Sequence, residues 1–238
     1  MMIVKFKQFF SKITRDLSHL VYPNSCLACL NELAQTEHHI CSFCYNDLRL
    51  TKFQHYAEPT QMDKLFWGRV EVIKTYAHFH FEKNKASQDI LFGLKYKGNQ
   101  SVGYHFGKET GKAILNSEDF STANAIIPVP LHPRKEFKRG YNQSEIIAQG
   151  ISEITSIPIN TSIIKRKKHS ETQTKKDRFE RWDNVSSIFS VSYKIEELNH
   201  VILVDDVITT GSTLEAIIIS LKQKKPELKV SVVTLAIA

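Results

Sequence analysis

Short apolar segments that alternate with helical segments constrain the fold of this chain more than any other feature. Strand-like segments occur at residues 124–131, 159–165, 201–204 and 229–238, and residues 70–81 alternate like strands. Helical patterns occur at residues 83–94, 100–115 and about 213–224, and a further helix follows Asn142. This order favours an α/β fold with a parallel sheet and helices on both faces. In such a sheet, ligands bind beyond the carboxyl ends of the strands.

Positive charge is concentrated in one part of the chain. The 238 residues carry a formal net charge of +7. Residues 132–181 hold twelve Lys or Arg and six Asp or Glu, which leaves an excess of +6. A local positive field attracts polyanions, either phosphorylated metabolites or nucleic acid, and composition does not choose between them. A solvated basic face without a ligand is the third possibility.

The apolar runs of the chain are short. Residues 201–204 and 217–219 are uninterrupted apolar runs, far below the ~20 residues that span a bilayer. Residues 1–20 scatter Lys5, Lys7, Lys12 and Arg15 among apolar residues, unlike the continuous stretch of a secretory signal. We therefore expect no membrane span and a cytoplasmic location.

Four cysteines form two C-x-x-C pairs, "CLAC" and "CSFC". Cys26, Cys29, Cys41 and Cys44 are all the cysteines in the chain. Four thiolates that converge on one point make a closed tetrahedral zinc site, and a closed shell predicts a structural metal. Two disulfides, or a redox-active pair, are the competing interpretations. Two histidines between the pairs, His38 and His39, are expected to face solvent because four thiolates already complete the shell.

An amphipathic helix is predicted ahead of the cysteines. Its apolar positions recur at three- and four-residue steps, and they are Ile3, Phe6, Phe9, Phe10, Ile13, Leu17, Leu20 and Val21. Pro23 ends the pattern. The stripe is expected to pack against the cysteine module or the main domain, and a membrane-surface helix is the alternative. We expect residues 1–60 to form this helix and the zinc module, and residues 61–238 to form the α/β domain.

The segment "VILVDDVITTGST", residues 201–213, combines a buried strand with polar chemistry. Asp205 and Asp206 follow the strand, where carboxylates can accept hydrogen bonds from two neighbouring hydroxyls. Thr209, Thr210, Gly211, Ser212 and Thr213 then lead into a helix. Backbone N–H groups, hydroxyls and the helix N-terminus together suit a monophosphate. A sugar 5-phosphate with a free 2,3-diol satisfies both halves of the segment.

This segment closely resembles the phosphoribosyl pyrophosphate (PRPP) motif of type I phosphoribosyltransferases. The resemblance extends over nearly the whole chain. The cysteine module, "LKYKGN" at 94–99, "IPVPLHPRKEFKRGYNQSE" at 127–145 and "SETQTKKDRFERWDNV" at 170–185 occur in the order typical of the ComF/GntX family. These are competence-associated bacterial proteins in which a zinc-ribbon module precedes a type I phosphoribosyltransferase domain. One departure is Ser170, which stands where the family usually has threonine.

The resemblance implies a role for each motif. Asp205 and Asp206 would bind the ribose diol, and Thr209 to Thr213 the 5-phosphate. The turn after "PVPL" would offer cations for the pyrophosphate, namely Arg134, Lys135, Lys138 and Arg139. Mg²⁺ would arrive with the pyrophosphate, held mostly by substrate oxygens and waters. Residues from about 165 to 185 would form the hood over the site, with Ser170, Gln173 and Arg181 as candidate contacts.

The hood segment also suits single-stranded DNA. Its eight cations lie beside Phe179 and Trp182, and cations that follow a backbone with aromatics that stack on bases are typical of such binding. Packing of both aromatics onto the domain is the alternative. Three functions therefore stand: a Mg²⁺-dependent phosphoribosyltransferase with an unidentified acceptor, a DNA-uptake factor that binds single-stranded DNA or partner proteins, and a structural adaptor that keeps the motif as a fold element.

Overall fold

The computed structural model describes residues 24–166 and 188–238. Its strands are β1 Thr75–His80, β2 Ala125–Pro128, β3 Ile164–Arg166, β4 Phe189–Val191, β5 His200–Ile208 and β6 Lys229–Ile237. Its α-helices are α1 Ser42–Asn46, α2 Gln61–Lys64, α3 Ala86–Tyr96, α4 Gln100–Ile114, α5 Glu118–Ser121, α6 Pro133–Arg139, α7 Gln143–Thr155 and α8 Ser212–Lys224. Two short 3-10 helices span Phe53–His55 and Tyr193–Glu197.

A parallel sheet of four strands in the order β1-β6-β5-β2 forms the centre of the fold. The inner strands β5 and β6 are mostly apolar, with runs such as residues 201–204, and Val204, Val232 and Leu235 are fully buried. Such runs are expected where a parallel sheet is covered on both faces. The α/β fold with a helix-flanked parallel sheet, predicted from the alternation of segments, is confirmed.

One predicted strand is wrong. Residues 159–165 do not form a strand of the parallel sheet, since Ile159 makes only one parallel bridge to Ile126. Asn160 Oδ1 instead accepts hydrogen bonds from the N–H and hydroxyl of Ser162, which turns the chain. Strand β3 then pairs with β4 in a separate antiparallel sheet. The physical reason is local, because Pro158 has no N–H to donate to a ladder and the Asn160 turn follows it at once.

The strand predicted over residues 70–81 begins only at Thr75. The residues before it are held by long-range side-chain contacts instead. Glu71 accepts a hydrogen bond from Lys222 Nζ at 2.9 Å, and Arg69 contacts Glu215, both on α8. The outer edge of β1 is covered by the segment after the cysteines, where Leu50 bridges Phe79 in an antiparallel sense. Covering an edge strand removes a template for unwanted pairing.

Helices α4 and α7 pack closely beside the sheet, and α7 also contacts β2 and β5. Two glycines permit this approach. A Cβ built on Gly107 would strike the backbone oxygen of Ile147, and a Cβ on Gly150 would strike that of Tyr104. The close contact fixes the N-terminal turn of α7 over the carboxyl end of β5, where the candidate site lies.

Several predictions fall on residues outside the described ranges. The amphipathic helix before Pro23 and hood residues 167–185 lie there. Among the residues that are described, no helix is both long and apolar enough to cross a membrane. The division of the chain near residue 60 stays a prediction.

Candidate functional site

Strand β5 carries both predicted carboxylates past the end of its neighbour β2. Pro128, the last residue of β2, pairs with Val204, whereas β5 continues along β6 with Asp205 opposite Thr234. The strand was predicted to end at Val204. This end is wrong, because β5 continues to pair with β6 as far as Ile208. On the β2 side the ladder stops, so Asp205 and Asp206 lie at the open carboxyl edge of the sheet.

Asp205 is held by the start of α7. Its Oδ1 accepts hydrogen bonds from Ser144 Oγ at 3.0 Å and from Asp206 N–H at 2.9 Å. Ser144 is itself fixed, since its N–H donates to Asn142 Oδ1, the cap of α7. Burial, and then the negative charge of Asp206, raise the pKa of Asp205 to about 7. The two carboxylates therefore resist ionising together.

Asp206 is almost fully buried and lies beside a cation. Its Oδ1 is 3.2 Å from Lys95 Nζ near the end of α3, and the Asp206 side chain is only 6% exposed. Its Oδ2 is buried and has no hydrogen-bond partner among the described residues. Leaving such an atom unsatisfied costs about 1–3 kcal/mol. This oxygen is therefore a buried acceptor with unused capacity.

The predicted phosphate loop forms as a turn between β5 and α8. Gly211 has φ +75°, a left-handed conformation that other residues resist, and it is followed directly by the first turn of the 13-residue helix α8. Thr209, Thr210, Ser212 and Thr213 are exposed around it. A cavity of about 80 Å³ lies along the loop and reaches Asp205. The predicted strand, loop and helix are present here, and binding of a phosphate by this loop stays a prediction.

Arg69 also contacts this loop, and sequence reasoning missed it. Its guanidinium donates to Thr210 O at 2.8 Å and to Leu65 O at 2.9 Å, and it contacts the Glu215 carboxylate. The same residue lines a groove of about 820 Å³ along residues 56–74. Because 141 positions separate Arg69 from Thr210, no local pattern could have linked them.

The predicted pyrophosphate cations lie on a helix rather than a turn. His132 caps α6 through Nδ1, Pro133 occupies its first turn, and Gly140 ends it at φ +83°. Pro133 at the start and Gly140 at the end are the ordinary helix signals that the prediction overlooked. Arg134, Lys135 and Lys138 are exposed, whereas Arg139 is half-buried and contacts Gln143 Oε1. Arg139 is thereby joined to α7.

The "LKYKG" segment reaches the same corner of the molecule. The hydroxyl of Tyr141 donates to Leu94 O, and the Arg139 guanidinium lies 5.8 Å from the centre of the Tyr96 ring. Two motifs whose contacting residues are 47 positions apart therefore meet at the carboxyl edge of the sheet. The hood candidates Ser170, Gln173 and Arg181 lie outside the described residues.

The four cysteines converge as their spacing predicts. Their Sγ atoms all lie within 4.8 Å of one another, and Cys29 and Cys41 are 3.7 Å apart. Zn–S bonds of about 2.3 Å in a tetrahedron require sulfur separations of about 3.8 Å. Burial raises the pKa of Cys26, but hydrogen bonds from backbone N–H groups outweigh it and lower the pKa to about 7. The four cysteines could therefore hold a structural zinc ion.

The two histidines between the cysteine pairs differ. His38 is exposed, as expected, whereas His39 is half-buried and its ring lies 5.6 Å from that of His105 on α4. Burial lowers the pKa of His39, with the neighbouring His105 as a smaller cause. The expectation that both histidines face solvent is therefore wrong for His39. Leu27 likewise packs beside Gly93, so the module rests on α3 and α4.

Comparison with known proteins defines the class first. Residues 138–237 match the phosphoribosyl transferase domain, which includes α7, β5, the loop and α8. The chain therefore carries a domain of the phosphoribosyltransferase class.

Individual proteins that are similar to this chain then indicate a family within that class. Competence protein F of Haemophilus influenzae is 44% identical over 95 residues, 39% of this chain and 42% of that protein. Competence protein ComFC of Bacillus subtilis is 25% identical over 236 residues, 96% of this chain and 91% of that protein. The DNA utilization protein YhgH of Escherichia coli (strain K12) is 24% identical over 213 residues, 83% and 90% of the two chains. Together with the domain, these similarities support assignment of the chain to the ComF family.

Proposed function

We propose that this protein binds PRPP and transfers its phosphoribosyl group to an unidentified acceptor. One observation carries the proposal: Asp206 Oδ2, a buried carboxylate oxygen that no described residue hydrogen-bonds, lies three residues before a loop of exposed hydroxyls that leads into α8. A diol and a monophosphate on one sugar are the chemistry that suits this pair. The match to the phosphoribosyl transferase domain supports the same ligand.

In the proposed complex, the two halves of the site bind different parts of the sugar phosphate. Asp205 and Asp206 accept hydrogen bonds from the ribose 2- and 3-hydroxyls. The 5-phosphate is bound by the N–H groups and hydroxyls of Thr209 to Thr213 and by the N-terminus of α8. Arg69 holds the loop from behind through Thr210 O. These contacts orient the anomeric carbon toward the open edge beyond β2.

In the proposed reaction, the bond between the anomeric carbon and the pyrophosphate oxygen breaks, and the pyrophosphate leaves with the electron pair. The acceptor forms the new bond at that carbon and releases its proton to solvent. Arg134, Lys135, Lys138 and Arg139 are the cations proposed to neutralise the leaving group. Mg²⁺ carried in with the pyrophosphate would supply further neutralisation. Positioning and charge stabilisation then account for catalysis without a protein nucleophile.

The wider setting is also proposed. The relatives are named competence and DNA utilization proteins, which supports a role in DNA uptake or use. We propose that residues 1–60 form a zinc-stabilised module attached to the phosphoribosyltransferase domain of residues 61–238, and that the protein acts in the cytoplasm.

Calorimetric titration with PRPP and Mg²⁺ tests the ligand. The variant pair Asp205→Asn with Asp206→Asn should abolish saturable binding. The matched control neutralises another adjacent acidic pair, Glu118→Gln with Asp119→Asn, on exposed α5. Equal binding by wild type and the Asp205/Asp206 variant would contradict the assignment of the diol site. Pyrophosphate release with candidate acceptors is the measurement that follows.

A second candidate function is single-stranded DNA binding, with PRPP as a regulatory ligand or with no ligand in the motif. It is favoured by exposed rings of Phe92 and Tyr96, whose centres are 5.0 Å apart. Lys97 Nζ lies 5.7 Å from the Phe92 ring centre, and the Arg139 guanidinium 5.8 Å from that of Tyr96. Paired aromatics between cations suit stacked bases and a phosphate backbone.

Fluorescence anisotropy with a labelled oligothymidine tests this second function. The variant Phe92→Ala with Tyr96→Ala should weaken binding, and salt should weaken it further. The control is Tyr193→Ala, because Tyr193 is also an exposed aromatic residue and also lies against a lysine, Lys224. Neutralising Lys167, Lys168, Lys175 and Lys176 tests the predicted hood contribution. A protein that binds neither PRPP nor DNA would fit the structural adaptor.

A further inference from the structure

Lys95 reaches the candidate site from an element that the phosphoribosyl transferase match does not include. It belongs to the "LKYKG" segment at the end of α3. Its Nζ lies 3.2 Å from Asp206 Oδ1, and its side chain is 21% exposed. An ammonium this close to a nearly buried carboxylate is weakly screened by water. The contact therefore differs in strength from an ordinary surface ion pair.

The position of Lys95 is fixed by its surroundings. Its neighbour Leu94 is fully buried, and the Leu94 carbonyl accepts a hydrogen bond from the Tyr141 hydroxyl. Leu94 also packs against Gly103 of α4. Tyr141 precedes Asn142 and Ser144, which hold Asp205. One corner of the fold thus places both the cation at Asp206 and the hydroxyl at Asp205.

The adjacent carboxylates of Asp205 and Asp206 repel each other when both are ionised. Among the described residues, the charged groups that act on Asp205 are Asp206 and Lys95, and Ser144 adds a neutral donor. Asp206 raises the pKa of Asp205, whereas Lys95 opposes that rise. A protonated carboxyl would lose one of its acceptor positions. Removal of the ammonium would therefore weaken the acceptor pair that a diol requires.

We propose that Lys95 is a positioning residue that keeps the Asp205–Asp206 pair in its accepting form and orients Asp206. The ammonium occupies Oδ1 and leaves Oδ2 for a ribose hydroxyl. The inference rests on the proposed function, since it assigns a partner to the proposed diol site. Lys95 does not touch the reacting carbon in this scheme; it acts through Asp206.

PRPP binding measured by calorimetry from about pH 5.5 to 8.5 tests the proposal. Lys95→Met should weaken binding by up to about tenfold, the limit set by a one-unit change in carboxylate pKa. The loss should be small at the alkaline end of the range and approach this limit at lower pH, because the carboxyl is protonated at higher pH in the variant than in wild type. Lys95→Arg should restore most of the affinity by restoring the charge. Lys108→Met, which removes the lysine of an exposed ion pair with Glu153, should bind like wild type.

The outcomes separate this inference from the proposed function. If wild type binds PRPP and Lys95→Met shows the same affinity and pH profile, the positioning role is overturned and the proposed function stands. If wild type does not bind PRPP, the proposed function fails. Carboxyl ¹³C NMR titration of Asp205 then tests Lys95 without ligand: Lys95→Met should raise the midpoint of Asp205, because Lys95 lowers its pKa in wild type, and an unchanged midpoint would overturn the inference. Lys95→Gln replaces the Met variant if circular dichroism shows the latter unfolded.

Discussion

The cysteine cluster and the Asp205–Asp206 pair gather like-charged groups at opposite ends of the chain, and they differ in where the compensating cation comes from. Four thiols lie within 4.8 Å of one another and could hold a zinc ion from outside the chain. The two carboxylates lie beside an ammonium that the chain itself supplies, Lys95. Clustered negative charge needs a counterion in both places. The four cysteines lie close together in the sequence. The two aspartates of β5 instead contact a lysine from α3 and a serine from α7, which are far from them in the sequence.

The largest expected effect concerns the cysteine cluster. Cys26→Ser with Cys44→Ser, or a strong chelator on wild type, should abolish bound zinc and unfold the segment that follows Asn24. Structural zinc sites contribute on the order of 10 kcal/mol to the folding of such modules. Zinc content by mass spectrometry and calorimetric unfolding are the measurements. His39→Ala is the control, because it should keep the metal. A zinc-free protein with an unchanged unfolding profile would show that the cysteine cluster does not need a metal ion to fold.

The next effect concerns the cation that the chain supplies. Asp206→Ala removes the carboxylate that Lys95 contacts, and breaking a buried pair in this way costs about 3 kcal/mol or more. Glu153→Ala removes the acid of the exposed pair with Lys108 and should cost less than about 0.5 kcal/mol. Urea unfolding of both variants measures the difference. Equal losses would mean that the Lys95–Asp206 pair behaves as a surface contact.

The smallest effect is a change in pH dependence. Because the folded pKa of Asp205 is raised to about 7, the folded state binds more protons than the unfolded state above the unfolded pKa, and Asp205 destabilises the fold as pH rises toward 7. His78 opposes this, since burial lowers its pKa to about 4 and its contribution grows over the same window.

Asp205→Asn should therefore make the free energy of unfolding rise more steeply between about pH 5 and pH 7, by about 1–2 kcal/mol. Urea unfolding at the two pH values, with Asp89→Asn as control, measures the change. An identical slope in wild type and Asp205→Asn would show that the carboxyl is ionised throughout. Lys95 would then neutralise the pair more fully than its distance suggests.

Local patterns were predicted well where the chemistry lies within a few residues. The strand–loop–helix segment around Gly211, the cysteine cluster and helix α4 all occur where the sequence indicated them. The errors lie where neighbours in space decide the outcome. Residues 159–165 left the parallel sheet, β5 ran on past Val204 because β6 continued beside it, and the basic turn after "PVPL" is a helix.

The residues that complete the candidate site were not predictable from spacing. Ser144 lies 61 positions from Asp205, and Arg69 lies 141 positions from Thr210. The "LKYKG" segment was visible only as part of a family resemblance. Nothing in its residue types indicates that Lys95 faces a carboxylate more than 100 positions away rather than solvent.

Local sequence was enough to predict the chemical groups and the short-range geometry: two C-x-x-C turns, an adjacent pair of acids, and a glycine where a left-handed turn leads into a helix. These depend on backbone and side-chain preferences over a few residues. The contacts of Lys95 with Asp206 and of Arg69 with Thr210 exist only in the folded chain, because they depend on how α3, the segment before β1, and β5 pack together. Packing depends on contacts throughout the core, and a pattern of neighbouring residues does not specify those contacts.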